Sequence, residues 1–152
     1  MAKTPETEAF WAEFCAATGV AGDYLVCAFG DSPALIDELT ELVLSGRKQA
    51  TAGLLRDYGS GAEPLPRPGD QTVFLDGANR PRGVFRTTEI RIGPIDSVDD
   101  AFAWDEGEGD RSRDWWLEAH LRFFARQAEA EGFAYDRAMD VVFERFTLVW
   151  PR

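Results

Sequence analysis

The residue pattern predicts an α+β domain: a small, mostly antiparallel β-barrel or strongly curved sheet decorated by three to four helices. Three observations carry this. Apolar segments of strand length are interleaved with segments of helical periodicity. The strands are short and several neighbours are joined by turns, whereas a doubly wound parallel sheet needs longer strand–helix alternation. The chain has 152 residues, 45% apolar and 28% charged, which is the size and balance of one ordinary globular domain with a core of its own. A single domain over 1–152 is expected, with residues 1–5 as a mobile tail.

The elements follow in order. Residues 6–18 form an amphipathic helix in which Phe10 and Phe14, and Trp11 and Cys15, repeat at four-residue spacing, with Gly19 as its stop. Tyr24–Phe29 is a short apolar strand. Asp31 or Ser32 caps a second helix with Pro33 in its first turn, Leu35, Leu39, Leu42 and Val43 as its buried stripe and Gly46 at its end. Gln49–Leu55 is the next strand. Residues 56–69, with Pro64, Pro66 and Pro68, form a surface loop. Gln71–Leu75 is a strand, Asp76-Gly77 a turn, and Val84–Ile92 the strongest strand signal, ended by Gly93-Pro94. Ser97 to Asp100 has the spacing of a capping box opening a short helix through Trp104. Glu106-Gly107-Glu108-Gly109-Asp110 is a glycine-spaced acidic turn. A long helix spans about Ser112 to Glu131, stopped by Gly132, and Val141–Trp150 closes the sheet.

Charge narrows the function classes. Sixteen basic and 27 acidic residues give a net −11. Such a surface repels polyanions, so binding of duplex DNA or of a membrane through bulk charge is excluded, while a local basic pocket remains open. No apolar run of 18 residues exists to span a bilayer, and the polar N-terminus has no signal-peptide core, which points to the cytoplasm. Cys15 and Cys27 read as reduced core thiols. With one histidine and those two cysteines, a Cys/His zinc site is not expected, and the three carboxylates of the acidic turn lack calcium-loop spacing; no metal and no cofactor is predicted.

Fourteen of the sixteen basic residues are arginine, which does not give up its proton in a protein. Of the two lysines, Lys3 is in the terminal segment, so Lys48 is the one ammonium in the folded body. Gly46-Arg47-Lys48-Gln49-Ala50-Thr51 ties a helix end to a strand, and a bend there brings an amine and a hydroxyl to one pocket, as a base and its nucleophile require. Glu106 or Glu108 supplies a carboxylate beside that lysine. Side chains two apart in an extended turn point to opposite sides, so only one is expected to reach Lys48, and Glu106 is favoured. An ion pair raises the lysine pKa while burial lowers it, and the sequence leaves the winner open. Arg80, Arg82, Arg86 and Arg91 form a local basic stretch.

Taken together, Phe29-Gly30-Asp31-Ser32-Pro33, then Leu42-Val43-Leu44-Ser45 and the segment 46–51, then residues 106–110, then Trp116 and His120 before Phe123-Phe124 resemble the bacterial ASCH-domain proteins, in their stand-alone branch of about 150 residues. The resemblance covers about residues 6–150. It implies a PUA-like fold with a cleft beside residues 46–51 and the binding of RNA or a nucleoside. In one group of small members the chemistry is hydrolysis of cytidine acylated on its exocyclic nitrogen. Carried over, that makes Thr51 the nucleophile, Lys48 its base and Glu106 the positioning group, with Glu108 as the alternative. Phe29, Asp31, Gly46, Arg47, Glu108, Trp116 and His120 become candidate substrate contacts. Other members are linked to RNA cleavage or to RNA binding without catalysis, so short single-stranded RNA stands beside a modified nucleoside or other small molecule as a partner, and a non-catalytic ligand-binding domain is a further alternative. This chain is about half again as long as the small amidohydrolases, which leaves room for a reshaped pocket.

Overall fold

The computed structural model describes residues 1–59 and 61–152. Four α-helices surround one five-stranded sheet: α1 (Pro5–Thr18), β1 (Leu25–Cys27), α2 (Pro33–Leu44), β2 (Ala50–Leu54), β3 (Gln71–Leu75), β4 (Pro81–Pro94), α3 (Asp100–Glu106), α4 (Arg113–Glu131) and β5 (Asp140–Trp150). The strand order is β1-β3-β4-β5-β2. The β1–β3 pair is parallel and the other three are antiparallel. β4 and β5 are the long members, and their register shifts twice, between Val84 and Phe85 and between Thr87 and Glu89. Such bulges increase the local twist and let a sheet curl. The predicted curved, mostly antiparallel sheet with external helices is therefore the observed fold.

The sequence explains most boundaries. Thr4 and Thr7 form a capping box at the start of α1, and Ser32, not Asp31, caps α2 through the Leu35 amide. α3 differs from expectation at both ends. Asp99 caps it by accepting from the Phe102 amide, while Ser97 lies in a preceding 3-10 turn and donates to the Pro94 carbonyl. The helix runs on to Glu106 and stops at Gly107 in the left-handed conformation (φ 72°). β4 is longer than Val84–Ile92 because pairing with β5 carries it through Gly93 and Pro94. The start of the chain also makes polar contacts with the rest. The Met1 amino group pairs with Glu63 and donates to the Val26 carbonyl, and Lys3 pairs with Asp23.

Three apolar groups fill the interior. One under α1 joins Trp11, Phe14, Tyr24 and Val26 to β3 and β4. A second sets Phe102, Trp116, Phe124 and Phe143 between α3, α4 and β5. The third stacks Phe29, Phe74, Phe85 and Phe146 beneath Leu39 and Val43 of α2. The last two flank the buried polar residues Lys48 and Glu106. Cys15 and Cys27 are free thiols, as expected.

Candidate active site

The segment after α2 is pinned by its backbone. The Lys48 amide donates to the Leu42 carbonyl, the Gln49 amide to the Asp105 carbonyl of α3, and the Phe146 amide of β5 to the Gln49 carbonyl. Gly46, at φ 82°, makes the turn. This threads Lys48 inward between α2 and α3, where only 2% of it remains exposed. Burying an ammonium is costly unless it is paired, and here two carboxylates pair it. Glu108 Oε2 lies 2.8 Å from Lys48 Nζ and Glu106 Oε1 lies 3.5 Å away.

Both glutamates of the acidic turn therefore reach the lysine, against the expectation of one. The alternation rule assumes an extended chain. Glu106 is instead the last helical residue, and Gly107 reverses the backbone, so the two side chains converge. The turn tolerates only glycine at its alternate positions: a β-carbon would meet the Arg47 carbonyl oxygen at 2.4 Å at position 107 and the Trp115 ring at 2.1 Å at position 109.

Glu106 is fully buried and the most heavily constrained member. Its Oε2 accepts from Trp116 Nε1 at 2.6 Å and lies 3.1 Å from His120 Nε2. His120 Nδ1 is 2.8 Å from the Trp116 carbonyl oxygen. Both ring nitrogens thus face acceptors, the arrangement of an imidazolium. Burial works against that charge, but the neighbouring Glu106 carboxylate outweighs it and the His120 pKa is raised. Burial likewise opposes the Lys48 ammonium, and Glu106 and Glu108 overcome it, so Lys48 is also shifted up and holds its proton. For Glu106 burial favours the neutral acid, yet Lys48 and His120 drive its pKa down. For Glu108 burial prevails over Lys48, and its pKa is raised. Glu106 is the fixed anion and Glu108 the carboxyl that takes a proton more readily. Among the described residues Glu106 Oε1 has no hydrogen-bond donor, its partner being the Lys48 ammonium at 3.5 Å.

These groups line one cavity of about 210 Å³ together with Phe29, Thr51, Trp115 and Arg126. Lys48 and Thr51 share it, as the spacing predicted. Of the other expected contacts, Phe29, Glu108 and His120 line it, and the Lys48 ammonium sits 5.8 Å from the Phe29 ring centre. Trp116 does not. It is 1% exposed, stacks on His120 and acts behind the wall by holding Glu106; Trp115, one residue earlier, takes the place at the surface of the cavity. Arg47 does not enter either: its guanidinium is spent on the carbonyls of Gly107 (2.6 Å) and Gly109 (3.0 Å), clasping the acidic turn. Gly46 shapes the backbone and Asp31 forms a rim pair with Arg126 (2.9 Å).

Glu106, Glu108 and His120 offer ligand atoms within 4.8 Å of one another. The Lys48 ammonium stands between the two glutamates as an internal cation, and Trp116 and His120 already occupy Glu106 Oε2. A divalent ion would have to displace that lysine, so the donor set fits an ammonium better than a metal.

Sequence reading did not find a second chamber of about 270 Å³ on the far side of Thr51, with Cys27, Tyr58, Phe85 and Glu144 in its walls. The two chambers share Phe29, Gly30, Thr51, Ala52 and Phe123. Thr51 and Glu144 are direct partners across the β2–β5 pair. The signal available beforehand was a lone glutamate inside a strand otherwise rich in apolar residues.

A family model described as the ASCH domain matches residues 25–150. The crystal structure of a protein from Enterococcus faecalis V583, assigned to family DUF984, is 34% identical, with 95% of this chain and 88% of that one aligned at a TM-score of 0.85. An ASCH domain from Lactobacillus crispatus JV V101 is 25% identical, with 98% and 97% aligned, also at 0.85. Among curated proteins none matches. Among the described residues no helix is long and apolar enough to cross a membrane.

Proposed function

We propose, from the premise that the chain belongs to the ASCH-domain family, that it is a hydrolase of a small nucleoside-like or acylamide substrate, with Thr51 as nucleophile. The observation that carries this is the buried Lys48 ammonium, held between two carboxylates in the cavity that Thr51 also lines. A fixed positive charge in a dry site stabilises the oxyanion that forms when an acyl carbon is attacked.

The charge states refine the roles. Lys48 is protonated at rest, so it serves as base only by passing on one of its own protons as it takes another. Its hydrogen bond to Glu108 gives that proton a destination, and burial has raised the Glu108 pKa towards accepting it. Thr51 attacks the acyl carbon, its hydroxyl proton moves to Lys48, and a Lys48 proton moves to Glu108. The tetrahedral species then breaks the C–N bond, and the Glu108 proton returns through Lys48 to the departing nitrogen, leaving an acyl ester on Thr51. Water enters by the same relay in reverse and releases the acid. Glu106 keeps Lys48 in place, and its Oε1, 3.5 Å from the Lys48 ammonium and without a hydrogen bond among the described residues, is suited to accept an N–H of the substrate.

A polyanion fits less well. Arg47 is engaged in the turn, Arg82 with Glu41, Arg80 with Asp76 and Arg91 with Ser97, and the four arginines of the predicted basic stretch are strung over a 14-residue strand and its hairpin turn. The test is release of cytidine from N4-acetylcytidine, or of amine from a related acylamide, followed chromatographically. Turnover by the native protein that is lost in Thr51→Ala supports the reading. Unaltered acylamides, with short RNAs bound or cleaved in a salt-dependent way, would replace it with the RNA reading.

A further inference from the structure

We propose that the second chamber is the acyl subsite, and that Glu144 at its wall selects acyl groups bearing an amine. The inference rests on the hydrolase reading only for the direction in which the substrate lies. Two chambers meet at Thr51, so a carbonyl placed at its hydroxyl must send its nitrogen side one way and its acyl side the other. The Lys48 chamber, with charged groups and a Glu106 oxygen that lacks a hydrogen bond among the described residues, suits the nitrogen-bearing half. The second chamber is walled by Leu25, Val26, Phe85 and Val142. At about 270 Å³, against about 30 Å³ for one water in the liquid, it has room for much more than an acetyl group.

Glu144 is what gives this chamber a preference. It is 5% exposed and takes a hydrogen bond from Thr87 (2.6 Å). No cation pairs with it among the described residues. The groups around the chamber are Cys27 on β1, Tyr58 after β2, and Glu63 and Asp70 from the loop before β3. Of the nearby cations, the Met1 amino group is taken by Glu63 at 2.5 Å, and the Lys48 ammonium of the adjoining chamber by Glu106 and Glu108. A buried carboxylate without a cation is costly, and a ligand ammonium would supply the missing partner. Burial without that partner lifts the Glu144 pKa to about 7, so the chamber is neutral when acidified and anionic above neutrality.

Calorimetric titration with 4-aminobutanamide and its uncharged counterpart pentanamide tests this without requiring turnover, so a failure of the hydrolase reading leaves the result interpretable. At pH 8 the native protein is expected to bind the amine at least about 10-fold more tightly than pentanamide. That preference should fall towards unity at pH 5.5, where Glu144 is protonated and the amine is still charged, and it should vanish at pH 8 in Glu144→Gln. Should that variant not fold, the pH series on the native protein decides alone. Equal binding of both amides at pH 8, a preference that persists at pH 5.5, or one that survives Glu144→Gln overturns the inference.

Discussion

Glu106 and Glu144 are the same residue type, both almost wholly buried, on the two sides of one threonine, and their acidities move in opposite directions. Burial pushes both carboxyls up. Glu106 has the Lys48 ammonium, the His120 imidazolium and the Trp116 N–H around it, and these outweigh burial. Glu144 has a threonine hydroxyl and no cation, and burial wins. Depth alone therefore says little about what a buried carboxylate does; the company it keeps decides whether it is a fixed charge or a titrating one.

The strongest way to break this contrast is to take the cation from the first chamber. Lys48→Ala leaves Glu106 and Glu108 facing each other without an ammonium. It should lose about 3–5 kcal/mol in urea denaturation, the cost of orphaning a buried charge, and all acylamide turnover. A loss near zero would mean that the cluster carries no net charge to balance.

Acidity tests the second chamber directly. The folded protein holds the Glu144 proton up to about pH 7, whereas the unfolded chain releases it near the ordinary value of 4.5. Between those values the folded state binds more protons, so this group lowers stability as pH rises through 4.5 to 7 and adds nothing further above. A shift of that size corresponds to about 3 kcal/mol. Glu144→Gln should accordingly gain about that much on the native protein between pH 4 and pH 8, read from denaturation midpoints at each pH. Glu106 has the opposite sign: its contribution is present above pH 4.5 and is lost as acid takes the pH down through its depressed value. The native-minus-Glu106→Gln difference should fall on acidification, and matching slopes for the two variants would erase the contrast.

Glu108→Gln keeps shape and hydrogen bonding but cannot accept the relayed proton. About 10²-fold in kcat, or 2.7 kcal/mol, is the expected loss, with KM little changed. A native rate would remove Glu108 from the relay. Trp116→Phe removes one donor to the ionised Glu106 and leaves an aromatic ring in the core, so a loss of about 1.5–3 kcal/mol is expected, shared between the hydrogen bond and packing. As a surface control, Arg122→Ala breaks an exposed pair with Glu118 and should cost under about 0.5 kcal/mol.

Much of this was legible in the chain. Periodicity and the glycine, proline and serine signals placed all the principal helices and strands, and the scarcity of lysine pointed to Lys48 before any geometry was known. What escaped had local physical causes. Trp116 falls at the i, i+4, i+8 spacing of His120 and Phe124, the buried face of α4, so its place as a ligand contact rested on the resemblance alone, while Trp115, one residue earlier, turns to the cavity. The paired reach of Glu106 and Glu108 depended on a helix running two residues further than its cap suggested. Arg47 looked like a ligand contact because its partners, the carbonyls of Gly107 and Gly109, are backbone groups that leave no side-chain signature. Glu144 was passed over although alternation sets it on the β5 face of Val142, Phe146 and Leu148, because the chamber that buries it is assembled from β1, β2, β4 and the loop after β2, which are far apart in the chain.

The acidic turn divides its own positions into two kinds. At 107 and 109 a side chain has no room, since the Arg47 backbone and the Trp115 ring already fill it. At 106, 108 and 110 the side chains are each engaged: Glu106 and Glu108 on Lys48, and Asp110 on the Ser112 amide at the start of α4. In a randomised library any residue but glycine at 107 or 109 tears the frame, and loss of Glu106 takes a buried partner from both Lys48 and His120, whereas an exchange at Glu108, at the cavity wall, rewrites proton affinity and ligand preference with Lys48 still held by Glu106. Altered chemistry is therefore reached most cheaply from this scaffold by exchanges at 108, with Glu106 and the glycines held.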